Sequence, residues 1–109
     1  MYGSVFAKVR QSLKVINKSK IDNMYKMFAY YEGEKLDLSE FDTSNVKGMG
    51  SMFDSILTKE LDLSNFDTSN VTDMHNMLFE SKDLEHIDLS SFDTSNVVAM
   101  GSMFSVEYV

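Results

Sequence analysis

The chain has 109 residues, no cysteine, no proline and a formal net charge of −7. Without cysteine there are no disulfides and no cysteine-ligated metal sites, and the negative charge argues against nucleic acid as a main partner, since phosphate binding needs a basic surface. No apolar run approaches the roughly 20 residues of a membrane span. Residues 1–26 carry six basic residues and one acidic residue, a net +5, which leaves −12 for the remainder. Ordinary solvated surface explains this asymmetry; a dipolar rod that associates basic end to acidic end is the alternative.

The first twenty residues are the least regular part of the chain. Val5, Phe6 and Val9 have a helical spacing, which predicts a helical lead-in over residues 1–10. Leu13 and Ile16 continue that spacing, but they also lie 25 residues before Leu38 and Phe41. We therefore assign residues 11–35 to a divergent first repeat.

From residue 36 onward the chain repeats itself. The block Phe-Asp-Thr-Ser-Asn-Val occurs at residues 41–46, 66–71 and 92–97, and each copy follows a Leu/Ile-Asp-Leu-Ser block. The period is 25 and then 26 residues, and periods in this range are typical of repeat architectures. The sequence predicts one repeat domain over 1–109, with repeats at 11–35, 36–60, 61–86 and 87–109.

Each repeat has two halves with different periodicities. Leu-Asp-Leu alternates apolar and polar residues, as a short strand does. Val-x-x-Met-x-x-Met-Phe places apolar residues on one helical face, and Asp-Thr-Ser-Asn between the halves is rich in helix-capping residues. The predicted fold is an α/β solenoid of about four strand-turn-short-helix repeats with a parallel sheet.

Side chains at equivalent positions should form columns through such an arrangement. Phe41, Phe66 and Phe92 are expected to form an aromatic spine with Ile16 at its end. The methionines of the helical halves are expected in the core, although a methionine-rich stripe can also indicate a metal site or a promiscuous groove. The Asp-Thr-Ser-Asn blocks are expected to satisfy the backbone of the turns through side-chain hydrogen bonds.

Two resemblances follow from these motifs. Leu84-x-x-Ile87-x-Leu89 fits the Leu-x-x-Leu-x-Leu core of leucine-rich repeats, and residues 61–77 resemble the repeats of BspA-like bacterial surface lipoproteins, which are about 25 residues long. The resemblance covers roughly residues 11–109. It implies a leucine-rich-repeat-like fold, display on a bacterial cell surface, and a role in adhesion. It supplies no catalytic residue and no named ligand.

The candidate binding surface is the polar face of the predicted sheet. Between the strand leucines lie Asp37, Asp62 and Asp88, and flanking positions add Glu60, Glu85 and His86. Three interpretations are open: a solvated face, a site for a basic or cationic ligand, and a divalent cation bridging adjacent strands. A metal is disfavoured because aspartates a whole repeat apart do not concentrate oxygens as a calcium loop does.

The functional hypothesis is a non-enzymatic adhesion or protein-binding module of a bacterial cell-surface protein. The expected partner is a host or matrix protein or another surface protein, without nucleic acid, membrane insertion by this segment, cofactor or metal. End-to-end self-association is also predicted, from uncovered apolar surface near Met103, Phe104 and Tyr108. The alternative is a structural spacer or self-assembling repeat array with no ligand of its own. Enzyme activity is not expected, because no acid–base pair, nucleophile or phosphate-binding motif recurs.

Overall fold

The computed structural model describes residues 5–17 and 20–103. Within them there is no helix, and the regular elements are four short strands: β1 (Leu13–Lys14), β2 (Leu36–Asp37), β3 (Glu60–Asp62) and β4 (His86–Asp88). The predicted α/β leucine-rich-repeat-like solenoid with short helices is therefore wrong. The predicted helical lead-in is wrong as well, since residues 5–8 form a turn, while residues 1–4 lie outside the described part.

The strands form two small parallel sheets instead of one continuous sheet. β1 pairs with β2, and β3 pairs with β4, each in parallel. Leu13 is the partner of Leu36, two residues away from the Leu38 position that the repeat spacing predicts. The principal extents of 33 × 32 × 26 Å describe a compact body and not a rod.

The second half of each repeat consists of successive tight turns. Within one repeat, the N–H groups of Met27, Ala29 and Tyr31 donate to carbonyls three residues earlier. Other N–H groups donate to the next repeat, as from Met24 to the carbonyl of Gly48 at 2.8 Å. Isolated parallel bridges join the same positions across the chain: Asn23 to Gly48, Gly48 to Asp73, and Asp73 to Ala99.

This bonding explains why the helical prediction failed. A helix bonds each N–H to a carbonyl four residues earlier in the same segment, whereas here alternate N–H groups leave the segment. Several turn residues are also left-handed at repeating positions, with φ of 57° at Lys26, 54° at Ser51 and 54° at Asn76. The inward side chains of Val46 and Met49 nevertheless lie three residues apart, so the turns imitate the i, i+3 pattern of a helical face.

The core lies between the strands and the turns. Phe66 is 2 % exposed, with ring centroids 6.5 Å from Phe41 and 6.4 Å from Phe92, so the predicted aromatic spine is confirmed over these residues. Ile16 does not close it, since Ile16 is 52 % exposed and Phe6 instead stacks on Phe28. Of the methionines predicted for the core, Met100 is exposed. The others are buried, namely Met24, Met27, Met49, Met52, Met74, Met77 and Met103.

In the Asp-Thr-Ser-Asn blocks, buried threonine hydroxyls form hydrogen bonds to the backbone of the neighbouring repeat. The Thr43 hydroxyl donates to the carbonyl of Asp67 at 3.0 Å and accepts from the Asp67 N–H at 2.8 Å. Thr68 makes the same two bonds to Asp93. In the first repeat the side-chain amide of Asn17 makes the equivalent pair to Asp42. The prediction that these polar blocks form a structural ladder is confirmed.

Candidate functional site

The central carboxylates of the predicted surface all point to solvent. Asp37, Asp62 and Asp88 are exposed, while the apolar residues beside them in each strand turn inward. The alternation follows from the two-residue period of a strand, which sends neighbouring side chains to opposite faces. Asp62 and Asp88 are register partners in the β3–β4 sheet, so their side chains lie side by side.

The flanking residues of the prediction fall into two groups. Glu60 is the register partner of His86, and both are exposed beside the Asp62–Asp88 pair. These four polar residues rim a shallow depression of about 410 Å³ whose floor includes Leu61 and Ile87. Glu85 is exposed but precedes β4, and the depression does not include it.

Asp37 is separated from that group by a gap in the sheet. β2 and β3 lie next to each other but are not paired by backbone hydrogen bonds. A groove of about 350 Å³ runs between them, with Leu36 and Leu38 on one side and Glu60 and Asp62 on the other. The three aspartates therefore form one row that is interrupted between the two sheets.

Each aspartate of the row is tied to its own turn. Oδ1 of Asp37 accepts hydrogen bonds from the hydroxyl and the N–H of Ser39, at 2.6 and 2.9 Å. Oδ1 of Asp62 accepts from the Ser64 N–H, and Asp88 likewise from Ser90, both at 2.9 Å. The serine hydroxyl and then the serine N–H lower the pKa of Asp37 and of Asp88 below the ordinary value.

A second carboxylate row, which the sequence analysis did not single out as a surface, has the same construction. This row consists of Asp42, Asp67 and Asp93. Each carboxylate accepts a hydrogen bond from the N–H of the serine two residues later in the chain. The hydroxyl and the N–H of that serine lower the pKa of each aspartate. The sequence contained a signal for this row, because the Asp-x-Ser spacing occurs in both blocks of the three repeats from residue 36 onward.

These hydrogen bonds predict that the protein loses stability in acid. A carboxyl group whose pKa is lowered by folding stabilises the fold above its unfolded-state pKa of about 3.9, and that contribution is lost as the pH falls through the folded-state value. Urea denaturation from neutral to strongly acid pH should show the free energy of unfolding falling over this range. In the triple variant Asp42→Asn/Asp67→Asn/Asp93→Asn the fall should be shallower, because asparagine keeps the acceptor oxygen without titrating. An identical pH dependence in the variant would contradict this assignment.

The structure adds one basic residue to the acidic row. Lys14 is the register partner of Asp37, and its ammonium group forms an ion pair with Glu40. The hydrogen bond and charge of Glu40 raise the pKa of Lys14. Sequence reasoning missed Lys14 because the repeat spacing placed Leu13 opposite Leu38, which puts Lys14 out of register with the aspartates.

On the turn side, His75 lies against Asp73, with 2.5 Å between Nδ1 and Oδ1. The Asp73 carboxylate also accepts the His75 N–H at 3.0 Å. The His75 ring is 6.1 Å from that of Tyr25, and Gly50 lies between the two. Among the described residues, no hydroxyl is hydrogen-bonded to the His75 ring, so the histidine–aspartate pair has no adjacent nucleophile there.

The chemistry of the described surface is that of exposed carboxylates. Within residues 5–17 and 20–103, no group of three or more histidine, aspartate or glutamate side chains is arranged to hold a metal ion. The same ranges hold no helix that could cross a membrane. The carboxylates present negative charge over a shallow surface, and such an arrangement can bind a complementary basic surface.

The chain matches a known protein family over most of its length. A family model described as Mycoplasma protein of unknown function, DUF285, matches residues 1–108. No curated protein and no solved structure matches the chain. Because the family model covers nearly the whole sequence, the chain belongs to the family of Mycoplasma proteins of unknown function, DUF285.

Proposed function

We propose that this protein is a non-enzymatic binding or adhesion module displayed on a bacterial cell surface. Its partner is a basic segment of a host or matrix protein, or of another surface protein. The resemblance of its repeats to those of BspA-like surface proteins supports display and adhesion, and membership of the Mycoplasma family is compatible with a surface location. The binding surface is the row of Asp37, Asp62 and Asp88 with Glu60 and His86.

The observation that carries this proposal is that the inward side chains of the strands form the core while the outward side chains do not. The inward residues Leu36, Leu61 and Leu63 are almost completely buried in the core. The outward residues are charged and exposed, and packing makes no use of them. Side chains that are held in a row by a rigid backbone and are not needed for packing are available to a partner.

The charge of the row selects a basic partner. Paired strands lie about 4.8 Å apart, so the carboxylates of Asp62 and Asp88, which are register partners, repel each other. Hydrogen bonds from the serines hold Asp37 and Asp88 in the ionised form. A lysine or arginine side chain between neighbouring carboxylates relieves this repulsion, so binding and charge neutralisation are coupled.

The test is the triple variant Asp37→Asn/Asp62→Asn/Asp88→Asn. Asparagine keeps the oxygen that accepts the serine N–H, so the fold should persist. Binding of an oligolysine peptide should weaken by about tenfold, since exposed ion pairs contribute 0.2–1 kcal/mol each. Association should slow and the salt dependence should flatten. A panel of soluble matrix proteins, measured in parallel, then identifies natural partners that respond to the same variant.

A matched control distinguishes binding at this surface from a general effect of the net charge. The variant Asp42→Asn/Asp67→Asn/Asp93→Asn removes the same three charges from aspartates with the same capping role. It should bind the oligolysine peptide nearly as tightly as the parent protein. Equal weakening in both triple variants would mean that net charge alone attracts the peptide. No weakening in the first variant would place the binding site elsewhere.

A further inference from the structure

The outer edge of the last described repeat is uncovered, although its sequence matches the buried repeats. Val71 and Met74 are fully buried in the third repeat, whereas in the fourth Val97 is only half-buried and Met100 is 44 % exposed. Val98, next in the chain, is 88 % exposed. Residues 97–102 form what we call the trailing edge.

The trailing edge also presents backbone hydrogen-bond donors. In each preceding repeat the N–H groups at the positions of Met100 and Ser102 donate to the next repeat, as Met74 does to Ala99 at 2.8 Å and Asn76 does to Gly101 at 2.9 Å. Within residues 5–17 and 20–103, the N–H groups of Met100 and Ser102 have no partner. Over the part of the chain that the structure describes, the ladder therefore ends on these two donors.

The opposite side of the molecule presents the complementary acceptors. The carbonyls of Gly48 and Gly50 accept from the repeat before them, and the equivalent carbonyls in the first repeat belong to Asn23 and Tyr25. Neither of these two carbonyls accepts a hydrogen bond from the described residues. We call Asn23 and Tyr25 the leading edge. Its carbonyls could accept from the N–H groups of the trailing edge in the same pairing that joins consecutive repeats within the molecule.

The charges of the two ends are complementary as well. Residues 83–103 contain four acidic residues and no lysine or arginine, whereas residues 1–26 have a net charge of +5. Opposite charges on two docking surfaces attract the partners and set their orientation. Two trailing edges would repel each other, so the charges favour head-to-tail over tail-to-tail contact.

A glycine leaves room for this contact. Gly50 lies against the ring of Tyr25, and a Cβ atom at Gly50 would come within 3.2 Å of Tyr25 Cδ1. Gly101 occupies the equivalent position on the trailing edge, where an added Cβ meets nothing within 4 Å. A second copy docked in the repeat register would bring its own Tyr25 against Gly101.

We propose that the trailing edge binds the leading edge of a second copy of this chain, head to tail, by extending the backbone ladder across the contact. The contact is formed by other residues than the acidic binding surface on the strands, although Asp88 contributes to the charge of both. A head-to-tail contact is heterologous, so it generates rings or open chains of molecules and is not limited to dimers.

Sedimentation velocity of the 109-residue protein over a wide concentration range tests the proposal. Species larger than dimers should form with rising concentration, and they should dissociate as salt screens the charges. Gly101→Val should leave the monomer folded, because its side chain meets open space, but should weaken association by at least about tenfold through overpacking against Tyr25. Ser64→Val, which also introduces a valine at an exposed position but in an inner repeat, should associate like the parent.

Mixing the parent protein with Gly101→Val tests whether the contact is head to tail. Gly101→Val retains an intact leading edge, so in excess it should occupy the trailing edge of every parent molecule and shorten the parent's assemblies to dimers. A Gly101→Val protein that binds neither itself nor the parent would indicate tail-to-tail contact and overturn the proposal. A parent protein that stays monomeric at every concentration at low salt, or a Gly101→Val variant that associates as the parent does, would also overturn it.

Discussion

Replacing Phe66 with alanine should lower the free energy of unfolding by about 3–5 kcal/mol, the range for deleting a buried phenylalanine ring. Phe66 is 2 % exposed and touches aromatic rings on three sides. Its centroid lies 6.5 Å from Phe41, 6.5 Å from Phe53 and 6.4 Å from Phe92. The loss combines transfer of the ring to water with a cavity that these neighbours cannot fill.

Urea denaturation of Phe66→Ala measures this loss directly. Phe92→Ala is the matched control, because it removes the same side chain from the same column at a position that is only half-buried. Its cost should be clearly smaller. Since small domains are stable by only about 5–15 kcal/mol, Phe66→Ala should also melt at a visibly lower temperature. Equal costs for the two variants would mean that Phe66 is no better packed than Phe92.

Gly33→Ala should be the most damaging single methyl addition, at about 2–3 kcal/mol. A Cβ atom at Gly33 would collide with Oη and Cζ of Tyr31 and with the carbonyl oxygen of Gln11. Tyr31 cannot move aside, since its ring is fully buried and its hydroxyl lies within hydrogen-bonding distance of the carbonyls of Gln11 and Lys35. Accommodating the methyl group costs either these hydrogen bonds or a backbone shift.

Gly101→Ala is the control for this prediction, because a Cβ atom there meets nothing within 4 Å. Thermal and urea denaturation should find Gly101→Ala within about 0.5 kcal/mol of the parent, as for ordinary surface substitutions. Gly33→Ala with unchanged stability would show that the segment around Tyr31 adapts freely. The two glycines are indistinguishable by residue type, so a difference between them tests the packing specifically.

The sequence predicted the buried columns well. Repetition of Phe-Asp-Thr-Ser-Asn-Val with a fixed period required Phe41, Phe66 and Phe92 to occupy equivalent environments, and they do form one aromatic row. The same repetition predicted that threonine and asparagine side chains would satisfy the turns. Such predictions succeed because burial and local capping depend on residue type and spacing, and both are readable in the chain.

The helical halves were mispredicted for a definable reason. Apolar residues at Val46, Met49 and Met52 fit one face of a helix, and they also fit successive tight turns that bring these three side chains inward. The choice between the two depends on where the backbone N–H groups find their acceptors. That depends on the neighbouring repeat, as the bond from Met49 to Asp73 at 2.9 Å shows.

The candidate site was predicted in part. The outward direction of Asp37, Asp62 and Asp88 follows from strand alternation and agrees with the structure. The pairing of Lys14 with Asp37 and the gap between β2 and β3 did not follow from the spacing. A register shift of two residues keeps the same side chains outward, so the apolar pattern does not distinguish the two registers.

By itself, the sequence determined most of the buried columns, which strand side chains face solvent, and which short polar side chains cap the turns; Ile16 and Met100, both predicted for the core, are exposed. These properties depend on contacts within a few residues and on a periodic pattern. Only the tertiary structure decided that the second halves are turns, that the sheet divides in two, and that among the described residues donors and acceptors without partners lie at opposite edges. Those features are set by hydrogen bonds between residues some 25 positions apart, and the free energy of each depends on the position of the neighbouring repeat.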